Sequence, residues 1–250
     1  MSEPTVGNPA AFSTADARGA GRHALAAALQ ASRADTLATF AAFEAALPEL
    51  AVPLRDELNP PLWELGHIGW FQERWLARNP QRLRGVAADP DAARLPGVRA
   101  GADALYDSSA VAHDRRWSLP LPDAAATRTD LAAQLARTLT LLAGTPDEDD
   151  ALYFFRLALV HEDMHHEAAL YMAQGLGVPI DDPRWQARAL PSPADDLALA
   201  GVTLRLGHAG GGFAFDNELG AHAMRLAPCR IARQALSVAD ADPHDIGLVL

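Results

Sequence analysis

The run His161-Glu162-Asp163-Met164-His165-His166-Glu167 is the richest stretch of metal-capable side chains in the sequence. On a helix, His161 and His165 lie one turn apart and offer two imidazoles to the same point, the geometry a metal ion needs. His166 is turned away from them by about 100°. Two histidines leave a divalent ion under-coordinated, so a third ligand from another element is expected. His67 is the best candidate. It sits in Leu62-Trp63-Glu64-Leu65-Gly66-His67-Ile68-Gly69-Trp70-Phe71, with Trp63 and Trp70 on its own face and small Gly66 and Gly69 beside it. That face must point inward, and the small neighbours leave room for a metal or a substrate. Three histidines also leave positions open for water, dioxygen or a thiolate, which marks a catalytic rather than a structural metal.

A single helical histidine is usually an ordinary core or surface residue, so the combination carries the argument. The same run matches H-E-x-x-H, the zinc-protease signature in which the Glu is the general base. The extended form of that signature needs a glycine and then a third histidine where this chain has Ala168 and Tyr171. No later Glu ligand follows on a helix, so the protease reading is set aside. Glu167 points away from the shared histidine face and is expected to accept a hydrogen bond from a ligand on a neighbouring helix, or from an arginine. Arg115 and Arg116 are the candidates for holding a substrate carboxylate, if the loop that carries them closes over the helices. Cys229 reads as a small core residue of a strand rather than a nucleophile, having no histidine at a readable spacing. His23, His113, His208, His222 and His244 read as solvated or local partners.

The elements that must position these residues follow from periodicity. Residues 1–21 are small, polar and Gly/Pro-bearing, and read as a loose arm. From Arg22 to Leu47 the apolar residues recur at helical spacing, as one helix or as two with a restart at Ser32 and Asp35. A second helix spans about Leu62 to Arg78. Residues 80–126 form a long connection, either functional or mobile. Thr127 with Asp130 predicts the start of a third helix that Gly144 closes. Thr145-Pro146-Asp147-Glu148 predicts the start of a fourth, running to about Gly175. The expected class is α+β: a four-helix bundle over residues 22–177, a proline-broken linker over 178–200, and the opening of a β-containing domain over 201–250. Apolar residues 247–250 lead to the expectation that this second domain is incomplete.

Composition narrows the partners. Among 250 residues, Asp and Glu number 32 against 21 basic residues, all of them Arg, for a net charge of -11. Nucleic acid and anionic membranes are therefore excluded as partners, since both require local neutralisation of phosphate charge. One cysteine cannot build a disulfide framework or a thiolate zinc site. With neither a long apolar run nor a signal-peptide pattern, the expected location is cytoplasmic.

Three segments in this order resemble one family. Asn59-Pro60-Pro61-Leu62-Trp63-Glu64-Leu65-Gly66-His67-Ile68-Gly69-Trp70-Phe71-Gln72-Glu73, the His161 to Glu167 run, and Gly212-Phe213-Ala214-Phe215-Asp216-Asn217-Glu218 are together similar to the ergothioneine-type sulfoxide synthases. The resemblance covers about residues 25–235. It implies a DinB-like four-helix bundle followed by a domain of the formylglycine-generating-enzyme, C-type-lectin-like fold. The wording around His67, Leu105-Tyr106-Asp107-Ser108-Ser109 and the Leu157 to Glu167 run look most like the selenoneine synthases within the group.

The resemblance implies a mononuclear non-haem iron, Fe(2+), held by His67, His161 and His165. It implies an oxygen-dependent oxidoreductase that joins a chalcogen donor to the imidazole carbon of hercynine. In the selenium branch the donor is a selenosugar; in the sulfur branch it is cysteine or γ-glutamylcysteine. Arginines that grip the sulfur donor lie near Arg115 and Arg116, but Asp114 and Trp117 depart from that pattern, which favours selenium. Cys229 and Ser237-Val238-Ala239 also depart from the family's wording. Iron binding with slow or absent turnover is the expectation for these 250 residues.

Overall fold

The computed structural model describes residues 14–185 and 195–233. The chain divides into two compact units, residues 1–185 with 211–213, and the remainder. The first unit is helical: α1 (Thr14–Gly19), α2 (Arg22–Ala46), α3 (Pro61–Trp75), α4 (Ala102–Tyr106), α5 (Ala124–Ala143) and α6 (Asp149–Leu176). Helices α2 and α3 each pack against both α5 and α6, giving a four-helix arrangement with α1 and α4 added at its edges. With the small antiparallel sheets of the second unit, the class is mixed α+β. No helix among the described residues is long and apolar enough to cross a membrane.

Leu25, Leu29, Leu76, Leu142, Leu152, Phe155 and Leu159 form an apolar cluster. Phe43, Leu58, Met172 and Val178 form another. A polar layer is also buried in the bundle. Arg33 and Glu162 make a two-pronged ion pair (2.7 and 3.0 Å), and Arg33 donates further to the Leu131 carbonyl and Gln72 Oε1. A buried pair of this kind is tolerated only because nearly every prong is bonded.

Several helix ends differ from the sequence expectation, each for a local reason. Helix α2 is continuous, because Ser32 Oγ donates to Asp163 (2.6 Å) instead of capping a restart. Helix α3 stops at Trp75, three residues early, where the Arg78 N–H returns to the Glu73 carbonyl (2.9 Å) in a closing turn. Helix α5 starts at Ala124, capped by Asp123, which accepts from the Ala126 N–H (2.7 Å). Thr127 lies inside that helix with its hydroxyl on the Asp123 carbonyl (2.9 Å). The predicted cap of α6 is divided between its neighbours: Thr145 Oγ1 donates to Leu141 at the end of α5 (2.8 Å), and Asp147 accepts the first N–H of α2, from Arg22 (3.0 Å).

The connection over 80–126 is pinned to α3. Arg78 grips Asp103 with two hydrogen bonds (2.6 and 2.8 Å), and the Trp70 indole donates to the same carboxylate (2.6 Å). The Trp63 indole donates to the Leu105 carbonyl (2.8 Å). The N-terminal arm is also more ordered than its composition suggests. Residues 1–13 lie outside the described part, but 14–19 form α1, with Ala17 and Ala20 buried. The Phe213 N–H donates to the Arg18 carbonyl (2.8 Å), and the Gly212 N–H to Asp149 (2.7 Å). Gly212 has φ +69°, and a Cβ there would fall 2.6 Å from the Arg18 carbonyl oxygen, so only glycine fits. The Phe213 ring is fully buried against Tyr153.

In the second unit, β1 (Leu197–Leu199) pairs antiparallel with β4 (Cys229–Ile231), and β2 (Val202–Leu206) with β3 (His222–Leu226). Among the described residues, Leu197, Leu199, Val202, Leu206 and Ile231 are exposed on these ribbons. Cys229 lies in β4 as a strand residue but is exposed, not in a core, because both faces of its short ribbon are open. Part of the expected linker (186–194) and of the expected second domain (234–250, including Ser237-Val238-Ala239 and His244) lies outside the described residues.

Candidate metal centre

Helix α6 places His161 and His165 on the face turned toward α3, which brings His67 to them. One ligand-capable atom from each of the three lies within 4.8 Å of the others, the only such group of three among the described residues. The Nε2 atoms of His161 and His165 are 3.2 Å apart. Each ring is held. The His67 Nδ1–H donates to the Tyr106 carbonyl (2.8 Å), and its plane lies 12° from that of Trp63, with centroids 4.8 Å apart. His161 lies flat on Phe71, centroids 3.5 Å apart and planes 3° apart. The His165 Nδ1–H donates to Glu64 Oε2 (2.5 Å).

Close backbone approach makes this possible. Gly66 lies under the Tyr106 ring, where a Cβ would fall 2.3 Å from it. Any side chain there would push away the residue whose carbonyl fixes His67.

The electrostatics favour neutral imidazoles beside an ionised carboxylate. Burial, with the neighbouring His165, lowers the His67 pKa from 6.5 to about 4, against a smaller opposing effect of the Tyr106 bond. His161 is pushed well below 6.5 by burial and then by His165 and His67. Burial alone would raise Glu64, but its bond to His165, the nearby histidine charges and a bond from Asn59 outweigh this and hold it below 4.5.

The donor set fits a metal ion. Bonds at Nδ1 of His67 and His165 fix their tautomers, leaving Nε2 free as a ligand atom. Two nitrogens each about 2.1 Å from one ion, at angles near 90–110°, stand about 3.0–3.4 Å apart. The His161–His165 separation matches. The cluster is thus capable of coordinating a metal ion, with the Glu64 carboxylate bonded behind His165.

The remaining sequence candidates separate. His166, on the other side of α6, bonds Thr39 Oγ1 through Nε2 (2.8 Å) and takes no part in the cluster. Glu162, the would-be protease base, is locked on Arg33. Glu167 is exposed, and the carboxylate bonded to a histidine of the cluster is Glu64, on the facing helix α3. Arg115 and Arg116 lie in a 3-10 turn (His113–Ser118), where consecutive side chains diverge by about 120°. Arg115 is exposed, whereas Arg116 stacks over Trp63 at 4.0 Å and donates to Asn59 Oδ1 (2.8 Å). Sequence reasoning missed Glu64, Asn59 and the Tyr106 carbonyl. The available signal for Glu64 was a lone charge inside an apolar, aromatic helix face.

No family model matches the chain. Three curated relatives do, each named hercynine oxygenase. The protein of Mycolicibacterium smegmatis is 30% identical over 233 residues, covering 88% of this chain and 49% of its own length. That of Mycolicibacterium thermoresistibile is 30% identical over 192 residues, 73% of this chain and 40% of its own. That of Mycobacterium tuberculosis is 32% identical over 146 residues, 58% of this chain and 31% of its own. The chain therefore spans at most about half the length of these relatives. A match over 88% of 250 residues must include positions 67, 161 and 165. By sequence, the chain is a relative of the hercynine oxygenases, and the stretch related to the Mycolicibacterium smegmatis protein contains the whole three-histidine centre.

Proposed function

We propose that the chain carries a mononuclear non-haem Fe(II) centre on His67, His161 and His165, and that it serves oxygen-dependent joining of a sulfur donor to hercynine. The observation that carries this reading is the convergence of three imidazoles with two tautomers fixed. Residues 22–177 are then the metal-binding bundle, and residues 201–250 belong to a formylglycine-generating-enzyme-like domain.

The overall reaction balances as R–SH + hercynine + O2 → sulfoxide + H2O. A C–S bond forms, one oxygen atom goes to sulfur and the other leaves as water. The S–H bond and the imidazole C–H bond break, and these two substrates provide the four electrons that reduce O2; iron, when bound, would supply the site at which dioxygen and an anionic thiolate meet. The protein's own contribution is positional. Tyr106 and Glu64 orient His67 and His165. Trp63, Trp70 and Phe71 keep the centre apolar. Arg116 offers a guanidinium to a donor carboxylate, a role for which Arg115 is placed too far outward.

The names of the relatives favour the sulfur donor over the selenosugar, since an oxygenase delivers oxygen into its product as sulfoxide formation does. A selenosugar donor is the second reading, favoured by the presence of one inward-facing arginine instead of two. Anaerobic loading with Fe(II), followed by oxygen, hercynine and γ-glutamylcysteine, cysteine or a selenosugar in turn, tests it by mass spectrometry. One iron per chain and an adduct carrying one atom from labelled dioxygen are expected with a thiol. Failure to bind iron overturns the metal assignment. Turnover with the selenosugar alone moves the chain to the selenium reading.

A further inference from the structure

Arg116 is no member of the histidine cluster, yet two separate lines of contact join it to two of the three histidines. In the first, Arg116 Nη1 donates to Asn59 Oδ1 (2.8 Å), Asn59 is hydrogen-bonded to Glu64, and Glu64 accepts from His165 Nδ1 (2.5 Å). In the second, the guanidinium lies 4.0 Å from the Trp63 ring centre, and Trp63 stacks on His67. The Arg116 Nε is buried without a hydrogen-bond partner.

Asn59 is the decisive link. An amide offers an acceptor on one side and donors on the other. With Oδ1 held by Arg116, Nδ2 must face Glu64 and can donate to its carboxylate. Without the arginine the amide can turn over, which would set a carbonyl oxygen against a buried anion. Pro60 and Pro61 follow directly and fix the backbone from which Asn59 projects.

We propose that Arg116 and Asn59 are positioning residues for the metal: Arg116 sets the Asn59 amide, the amide holds Glu64, and Glu64 holds His165 with Nε2 presented to the ion. The proposal rests on the metal reading above and deepens it. It makes occupancy of Arg116 and affinity at the histidines thermodynamically linked, so an anion captured by the arginine alters metal binding and the reverse.

The test is anaerobic titration of the full chain with Fe(II) and with Co(II), whose visible bands report ligand number and geometry. Glu64→Gln should weaken metal binding about 10–100-fold, the usual effect of removing a partner behind a ligand. Asn59→Ala and Arg116→Met should each weaken it by about 3–10-fold and shift the Co(II) bands, being one contact further out. Asn59→Asp, which keeps the volume but cannot donate to Glu64, should reproduce the loss, while Arg116→Lys should recover part of it. The double variant Asn59→Ala/Glu64→Gln should bind no more weakly than Glu64→Gln alone, because both act along one line.

Wild-type affinity and spectra in the Asn59 and Arg116 variants, or strictly additive losses, overturn the proposal. A variant that fails to fold is exposed by its far-ultraviolet dichroism, and Asn59→Asp then decides. His165→Ala separates the two levels of the argument. If it binds Co(II) like the wild type, the metal reading and the relay both fall. If it loses the ion while the Asn59 and Arg116 variants keep it, only the relay falls.

Discussion

Metal-free protein should lose stability on mild acidification because of His67. Its imidazole is 3% exposed, and its pKa falls from 6.5 in the unfolded chain to about 4 in the folded one. Between those values the unfolded chain binds a proton that the folded protein refuses, so stability falls as pH falls. The loss from this one residue amounts to about 2 kcal/mol at pH 5 and about 3 kcal/mol at pH 4. Against a total of about 5–15 kcal/mol for a domain, that is a large fraction. His161, also lowered, adds in the same direction. Glu64 contributes only below its ordinary value of 4.5, outside the range from pH 7.5 to 5.0. The assay is urea unfolding in chelator across that range, for wild type and His67→Gln. The decline between pH 7.5 and 5.0 should be about 2 kcal/mol smaller in the variant. Equal declines would mean that His67 accepts a proton freely in the folded protein, and the argument from burial would be refuted.

His165→Ala should remove most bound metal while His166→Ala leaves it in place, as elemental analysis of the two will show; equal loss would contradict the helix face assigned here. Gly66→Ala sets a Cβ against the Tyr106 ring and should cost about 1–3 kcal/mol by urea unfolding. It should also lower metal affinity, because the Tyr106 carbonyl that orients His67 must move. Arg33→Met leaves Glu162 as a buried, unpaired carboxylate and should destabilise by about 3–5 kcal/mol, with most of that recovered in Arg33→Met/Glu162→Leu.

The helices were legible in the sequence because their buried faces repeat with the helical period, and the convergence of His67, His161 and His165 was legible because spacing and aromatic context both point inward. Caps were not. Thr145 and Asp147 look like a start signal for α6, but one bonds α5 and the other α2. A local sequence cannot say which helix a polar side chain serves. The supports of the centre were hidden for a related reason. Glu64 meets His165 across 101 positions, and Tyr106 meets His67 through a backbone carbonyl, an atom every residue possesses. Glu167 stands in the histidine run, whereas the carboxylate bonded to His165 comes from the facing helix.

The seating of Phe213 has a consequence for biogenesis. The helical unit is complete only when residues 211–213 have returned to Arg18 and Tyr153, long after the chain has passed residue 185. At synthesis rates of about 5–20 residues per second, that place stands empty for about 1–6 seconds on the ribosome. During that interval the nascent helices present an unfilled, aromatic-sized vacancy, the kind of surface that chaperones and neighbouring nascent chains recognise. Expression clones ending at residue 185 would make this transient state permanent, with aggregation rather than lost chemistry as the first symptom.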